Sequence, residues 1–416
     1  MQLPFEQLQG ADDMRFLQHQ LTVIVGKVFS LVNVGFGAVE VKADFSPWSR
    51  RFTPSFYRYV ISVSRSDPHA GGWDRLLCDR FQRNMLISAV IIKVLDSEVL
   101  SSLLFGASHD HSKVLVDQDK QLALHEGFQR TSIRAATNLE FLNSSDGVPP
   151  RFWEEVDRLA AQTLSMLLPL YNMLGEVGPE ELMPLQWIYQ KLHDVIALGG
   201  AFNYVTRTYP IVLESAWAVP GDALEIDQRD VAPELHAESA MKASQHDSLA
   251  NTNPNHPRRA RVQICITPRM LAYVEDQGGR LVSYKLMRPR ALFYQGYVDE
   301  MENKWEFVAL GHHLRNVKRA RRPSVAMILL FGIVLWALSA LVWSDKATEV
   351  LGVSSKMQEP DPDARPRMLV EELKKMEVFS KWYSTNVLDR YMLPHTQTLA
   401  GTAMSTAFLP DRTNSG

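Results

Sequence analysis

The sequence contains few cysteines and carries little net charge. Cys78 and Cys265 are the only thiols among 416 residues, which is too few for a disulfide framework or a cysteine-based zinc site. Their scarcity fits a reducing compartment for most of the chain. The formal net charge of −3 gives no overall field that would draw the chain to nucleic acid or to an anionic bilayer. Binding of either kind therefore depends on local clusters of charge.

The N-terminal stretch lacks the features of a targeting peptide. The segment "MQLPFEQLQGADDMRF" has no basic region followed by an apolar region, and Arg15 is its single basic residue. A cleaved secretory signal and a mitochondrial presequence are therefore not expected. If the protein reaches a membrane, we expect an internal segment to take it there.

Common catalytic and cofactor motifs are missing as well. Gly35 and Gly37 suggest a dinucleotide loop, but Glu40 stands where that loop needs a third small residue. Lys27 follows a glycine as in a phosphate-binding loop, without the earlier glycine or the following hydroxyl residue. The sequence contains no HExxH and no GxSxG. No cofactor and no catalytic residue are predicted from these patterns.

One long apolar run is present, from Pro323 to Ser344, and its 22 residues carry no charge. A helix of about 20 residues crosses the hydrocarbon core of a bilayer. Eleven of its positions are Leu, Ile, Val or Phe, which favour insertion by roughly 3 to 7 kcal/mol in total. A buried helix of a soluble core is the alternative. The run predicts a transmembrane helix over residues 323–344.

The flanks of this run predict its orientation. The twenty residues before Pro323 contain six Lys or Arg, and the twenty after Ser344 contain two. The positive-inside rule places the more basic side in the cytosol, so we expect a single-pass protein with its N-terminal part cytosolic. The membrane expected is that of the endoplasmic reticulum or another endomembrane. The residues that carry this topology prediction are Arg315, Lys318, Arg319, Arg321, Arg322 and Trp343, the last at the headgroup interface.

A second apolar segment, Leu21 to Val41, contains Lys27 and Asn33 near its middle. Polar groups at such positions are costly in lipid. The segment therefore predicts a buried helix or a helix–strand pair, although a second span there would change the topology.

The remaining pattern predicts a mainly α fold with a small β-rich unit and one transmembrane helix. Residues 11–215 are predicted to be mostly helical, from apolar residues at helical spacing, and apolar residues alternate with period two in "RVQICIT", "RLVSYKL" and "KWEFVAL". Asp96, Ser97 and Glu98 suggest the start of a new helix. The predicted divisions are a helical cytosolic domain (1–218), a disordered linker (219–258), a β-rich unit with a basic end (259–322), the span (323–344) and a tail (345–416). The tail contains an amphipathic helix over residues 366–388.

A histidine-rich stretch, "GASHDHSK", is the one candidate for a metal site. If this stretch were a strand, His109 and His111 would lie on the same side and could both bind a metal ion, with His125 as the third ligand. The favoured alternative is a polar loop between helices, and no metal is predicted. The basic cluster from Pro257 to Arg261 is the other unexplained local feature.

Two stretches, "LLFGASHDHSKVLVDQDKQLALHEGFQRTSIR" and "VPPRFWEEVDRLAAQTLSMLLPLYNML", resemble a loose group of uncharacterised proteins from filamentous fungi. The similarity covers about residues 75–270. The resemblance implies a fungal origin, and with it an endoplasmic reticulum membrane. It implies no activity and no site residue.

These patterns lead to three hypotheses of function. The first is a membrane-anchored interaction or accessory protein, with the lipid bilayer and another protein as partners. The protein partner would bind the helical domain or the helix at 366–388. The alternatives are a membrane-bound enzyme of lipid or secondary metabolism, which a cleft containing His109, His111 and His125 would favour, and a nuclear or DNA-associated protein. Nucleic acid is not an expected partner.

Overall fold

The computed structural model describes residues 11–42, 44–68, 71–122, 127–145, 147–223, 239, 241, 258–276, 279–297, 299, 301 and 307–320. All of them belong to one compact unit, Met1–Pro323. The predicted span (323–344) and the predicted tail (345–416) lie outside the described residues, as does most of the predicted linker.

The described residues are mainly helical, which confirms the predicted fold class for this part of the chain. The helices are α1 (Ala11–Gly35), α2 (Pro54–Val63), α3 (Gly72–Cys78), α4 (Arg80–Val94), α5 (His109–Gln121), α6 (Gly127–Ser144), α7 (Phe152–Val177), α8 (Leu185–Arg207) and α9 (Leu310–Ala320). A π-helix (Leu95–Leu100) continues α4, and short 3₁₀ turns occupy Pro47–Ser49 and Pro179–Glu181.

The β-structure is small and antiparallel. Its strands are β1 (Val212–Ala216), β2 (Arg258–Thr267), β3 (Arg269–Glu275), β4 (Leu281–Met287) and β5 (Arg290–Tyr297). They form a three-stranded sheet in the order β1-β3-β4 and a two-stranded ribbon of β2 with β5. The ribbon contains two register shifts in β2, after Val262 and after Cys265. Such irregularities bend a strand and increase its twist.

The early apolar segment is a helix of the core. In α1, Leu17, Leu21, Val28 and Val32 are buried within the unit, at helical spacings. Lys27, on the opposite side, is exposed. The burial of one face and the exposure of the other are what an amphipathic core helix requires.

Helices and strands share one hydrophobic core. Ile264, Ile266 and Met270 of the sheets belong to the same buried cluster as the apolar faces of α1, α4, α7 and α8. The start of the predicted linker is tied to β2, since the Gly221 N–H donates to the Val262 carbonyl at 2.7 Å. The domain boundaries proposed within residues 1–322 stay a prediction.

The π-helix is held by a buried amide from α8. The Asn203 side chain is fully buried, and its Nδ2 donates to the carbonyls of Val99 (2.9 Å) and Ser102 (3.0 Å). Its Oδ1 accepts the Phe105 N–H at 2.8 Å. These bonds satisfy backbone groups that a helix terminus leaves without partners. Asn203 therefore fixes the end of the π-helix and the turn that follows it.

A guanidinium from the same helix supports this arrangement. Arg207 donates from Nη2 to the Leu100 carbonyl at 2.8 Å and from Nε to the Ser102 carbonyl at 3.0 Å. Burial, together with the charge of Arg134, lowers the pKa of Arg207 to about 10. At neutral pH the guanidinium is still charged, so both hydrogen bonds are charge-assisted.

Two local predictions were wrong. No new helix starts at Asp96 to Glu98, because the backbone widens into the π-helix and continues α4. The predicted strand "KWEFVAL" is not a strand in its described part: residues 307–309 form no strand, and α9 begins at Leu310. Trp305 lies outside the described residues. The packing of Phe307 on Trp73 and Arg65, described below, takes the place of strand pairing.

Candidate functional site

The basic helix that precedes the long apolar run is docked firmly onto the unit. The approach to α9 is fixed by Trp73 of α3, whose indole N–H donates to the Val308 carbonyl at 2.6 Å. The Phe307 ring lies 6.5 Å from the Trp73 ring and contacts the Arg65 guanidinium at 3.9 Å. A cation over an aromatic face adds attraction to the packing. The segment before α9 is therefore held by both a hydrogen bond and ring contacts.

The first turn of α9 is also anchored. Leu310 is 2% exposed, and Leu314, one turn later, packs against the core. His313 Nε2 lies 3.4 Å from a carboxylate oxygen of Asp74. These contacts place one face of α9 against α3 and the neighbouring 3₁₀ turn.

The support under α9 is an aromatic cluster. Trp48 is 2% exposed and donates from its indole to the Trp73 carbonyl at 2.7 Å. The Trp48 and Trp73 rings meet edge to face at 6.2 Å, and Phe52 and Phe56 stack beside them at 5.0 Å. Edge-to-face and offset contacts are the favoured geometries of aromatic pairs. The docking platform is thus rigid rather than a surface loop.

The predicted topology residues on α9 lie together on its exposed side. Arg315, Lys318 and Arg319 are exposed, and Lys318 and Arg319 occupy the last turn. Positive charge is favourable at the C-terminal end of a helix, where the backbone carbonyls are unpaired. The other predicted topology residues, Arg321, Arg322 and Trp343, lie outside the described residues.

Among the helices that the structure describes, none combines the length and the apolar character that crossing a bilayer requires. The predicted span at 323–344 falls outside that part of the chain.

The candidate metal ligands are not arranged as a strand would arrange them. His109 begins α5 and is exposed, while His111 is buried two positions later. The His111 ring stacks on Phe141 at 3.8 Å, and its Nε2 lies 3.0 Å from the Asn138 side-chain oxygen. Residues two positions apart on a helix point to different sides. His109 and His111 therefore do not share the face that joint binding of a metal ion would need. The interpretation of this stretch as a polar loop was wrong too, because Ser108 caps α5 there.

Other titratable groups do not assemble a metal or thiol centre in the described ranges. No three histidine, cysteine or carboxylate side chains come together there as a metal site would need, and His125 lies outside those ranges. Burial raises the pKa of the Cys78 thiol to about 11 and that of Cys265 to about 12. Both thiols are therefore protonated, and weak nucleophiles, at neutral pH.

Comparisons of the chain with protein-family models, with curated proteins and with solved structures return no match.

The sequence analysis missed the residues that dock α9. Trp73 and Val308 are 235 positions apart, and no periodic pattern joins them. The only available signal was the pair of consecutive glycines before Trp73, which marks a backbone turn: Gly71 and Gly72 both have positive φ, at 81° and 61°. That turn starts α3 and directs the indole towards α9.

Proposed function

We propose that this protein is a single-pass membrane-anchored interaction or accessory protein, whose helical unit is held on the cytosolic side of the endoplasmic reticulum or another endomembrane. The observation that carries the proposal is the docking of α9. This helix is fixed to the unit at its start and exposes basic side chains at its end, directly before the long apolar run.

Chain length limits how far the unit can lie from the bilayer. Helix α9 ends at Ala320, and the apolar run begins at Pro323. Three residues span at most about 11 Å when fully extended. A linker of that reach would keep α9 at the headgroup level, so the docked unit would rest close to the membrane surface instead of moving on a long tether.

The charges of α9 suit that position. Cytosolic leaflets carry anionic lipids, and each basic residue near such a surface contributes about 1 kcal/mol. Arg315, Lys318 and Arg319 are exposed, and Arg321 and Arg322 follow in the chain. The same residues would therefore set the orientation and hold the unit against lipid.

The helical unit also offers a surface for a protein partner. Four large apolar side chains are exposed on α5 and α6, by 36% to 47%: Val114, Val116, Ile133 and Leu139. A protein partner that packed on α5 and α6 would remove these side chains from water. The enzyme hypothesis has less support, because His111 is used in packing against Phe141 and Asn138.

Removing the basic residues before the run should disturb the orientation. The variant Lys318→Gln, Arg319→Gln, Arg321→Gln, Arg322→Gln leaves two basic residues on each side of the run within twenty positions. Because the positive-inside rule then favours neither side, we expect a mixture of orientations. Asn143 of the exposed sequence Asn143-Ser144-Ser145 is an N-glycosylation acceptor. Inverted molecules should carry a glycan there that endoglycosidase H removes.

The matched control replaces four exposed basic residues far from the run, Arg51, Lys113, Lys120 and Arg280, by glutamine. This control and the unmodified chain should remain free of glycan at Asn143. Glycosylation of the unmodified chain, or a four-residue variant that stays wholly unglycosylated, would count against the proposed role of α9.

A further inference from the structure

We propose that the open cavity lined by α2, the π-helix and α7 binds a small zwitterion, namely an α-amino acid or a dipeptide with an apolar side chain. The cavity measures about 430 Å³, which lies within the range of small-molecule sites. The inference does not depend on membrane anchoring, since all the residues that carry it belong to the folded unit.

The π-helix supplies one wall of this cavity. Insertions of this kind are rare and occur often at functional sites. Ser97 and Glu98 lie within it, and both line the cavity together with Tyr59 of α2. The Tyr59 hydroxyl lies 3.3 Å from Ser97 Oγ and 3.3 Å from Glu98 Oε1. The wall is held in place from behind by Asn203 and Arg207.

The floor contains a buried hydroxyl without a partner. Thr163 of α7 lines the cavity and is 2% exposed, and its Oγ1 has no hydrogen bond within the part of the chain that the structure describes. Threonine hydroxyls in helices usually bond to a carbonyl one turn earlier. Thr206 does so in α8, at 3.1 Å from the Phe202 carbonyl. A buried polar group left unpaired is costly, so a ligand that hydrogen-bonds Thr163 would remove that cost.

The rim carries one charge of each sign. Arg58 of α2 and Glu98 of the π-helix both line the cavity and are exposed. Neither forms an ion pair with any residue that the structure describes. Arg58 reaches Ser55 Oγ at 3.4 Å, and Glu98 accepts from Tyr59. A ligand that carries a carboxylate and an ammonium group would complement both.

Tyr59 lies between these two charges as a hydrogen-bond donor. Burial raises the pKa of its phenol, and the neighbouring Glu98 carboxylate raises it further, against the opposing effects of Ser97 and Arg58. The phenol therefore keeps its proton at neutral pH. The hydroxyl can donate its hydrogen bond to the ligand carboxylate, or it can keep its hydrogen bond to Glu98.

The rest of the floor is apolar. Val94, Leu159 and Met166 line the cavity and are each at most 5% exposed. An aliphatic side chain resting on them would be removed from water, which is favourable in proportion to its apolar area. We therefore assign the ammonium to Glu98, the side chain to Val94, Leu159 and Met166, and the carboxylate to Arg58 and the Thr163 hydroxyl, which would donate to it.

Calorimetry on the purified full chain tests this assignment, in detergent or in buffer alone according to how the chain is extracted. The probes are L-leucine and leucyl-leucine, compared with N-acetyl-L-leucine, which has no ammonium, and L-leucinamide, which has no carboxylate. We expect a zwitterionic probe to bind with a dissociation constant below about 1 mM. Each probe that lacks one charge should bind at least about tenfold more weakly, because one charge-assisted hydrogen bond is lost.

Three variants connect binding to this cavity. Arg58→Gln and Glu98→Gln should each weaken binding of the zwitterion about tenfold. Their matched controls are Arg288→Gln and Glu140→Gln, at exposed positions that do not line the cavity, and these should leave binding unchanged. Thr163→Val keeps the shape of the side chain and removes the unpaired hydroxyl. It should raise the Tm of the ligand-free protein by about 2 °C and weaken binding.

Three results would contradict the proposed binding site. Absence of binding by both zwitterionic probes at millimolar concentration, with the unmodified chain folded, overturns the proposal. So does binding that N-acetyl-L-leucine or L-leucinamide matches, since a single charge would then suffice. Binding that survives both Arg58→Gln and Glu98→Gln would place the site elsewhere.

Discussion

Introducing Ile333→Arg together with Leu335→Arg is expected to release the protein from microsomes on extraction with alkaline carbonate, whereas the unmodified chain stays in the membrane pellet. Both positions lie near the middle of the apolar run. An arginine at the centre of a span costs about 2.5–3.5 kcal/mol, and each replaced aliphatic residue loses a further 0.3–0.6 kcal/mol or so. The sum, about 6–8 kcal/mol, matches or exceeds the roughly 3–7 kcal/mol by which the run favours insertion.

The control for this variant is Ser344→Arg, which places the same charge at the end of the run. Arginine there reaches the headgroups along its aliphatic stem, so retention in the pellet should be unchanged. Release of the unmodified chain by carbonate would mean that residues 323–344 form a core helix. The membrane-anchored account would then fail.

The second large effect concerns the buried amide that holds the π-helix. Asn203→Ala should lower the free energy of unfolding by about 2–3 kcal/mol, because the Phe105 N–H is left unpaired in the interior, which costs about 1–3 kcal/mol. The carbonyls of Val99 and Ser102 each lose one hydrogen bond as well, although the Ser102 hydroxyl still donates to Val99 and Arg207 still donates to Ser102. Urea unfolding of the full chain, followed by tryptophan fluorescence, measures this change.

Asn172→Ala is the matched control, since Asn172 is an exposed asparagine within α7. Exposed substitutions away from structural contacts usually change stability by no more than about 0.5 kcal/mol. If Asn203→Ala and Asn172→Ala were equally stable, the amide would not be what fixes the end of the π-helix.

The sequence predicted the structure best where apolar residues recurred with one period over many positions. The apolar stripes of α7 and α8 and the alternation in β4 were predicted because burial of one face imposes 3.6-residue and 2-residue periods. The alternation in β2 also predicted a strand, although residues 261–267 are buried on both faces. The π-helix could not be predicted from Asp96 to Glu98. Those residues are equally suited to an N-cap, and the wider turn depends on Asn203 and Arg207, about a hundred positions later.

The candidate sites depend on contacts that are distant in sequence. The charges of α9 were visible as a basic cluster, but its docking depends on Trp73, and nothing near Val308 indicates that partner. The cavity joins Tyr59, Glu98 and Thr163 from three separate helices. Each residue taken alone is an ordinary surface or core residue, so only their arrangement in space suggests a binding site.

The most direct test of the membrane-anchored account is protease protection on sealed microsomes, with one tag at the N-terminus and a second after Ser415. The account predicts that protease digests the N-terminal tag, while the C-terminal tag stays protected until detergent opens the vesicles. Digestion of both tags in sealed microsomes, or protection of the N-terminal tag alone, would contradict the proposed span and its orientation.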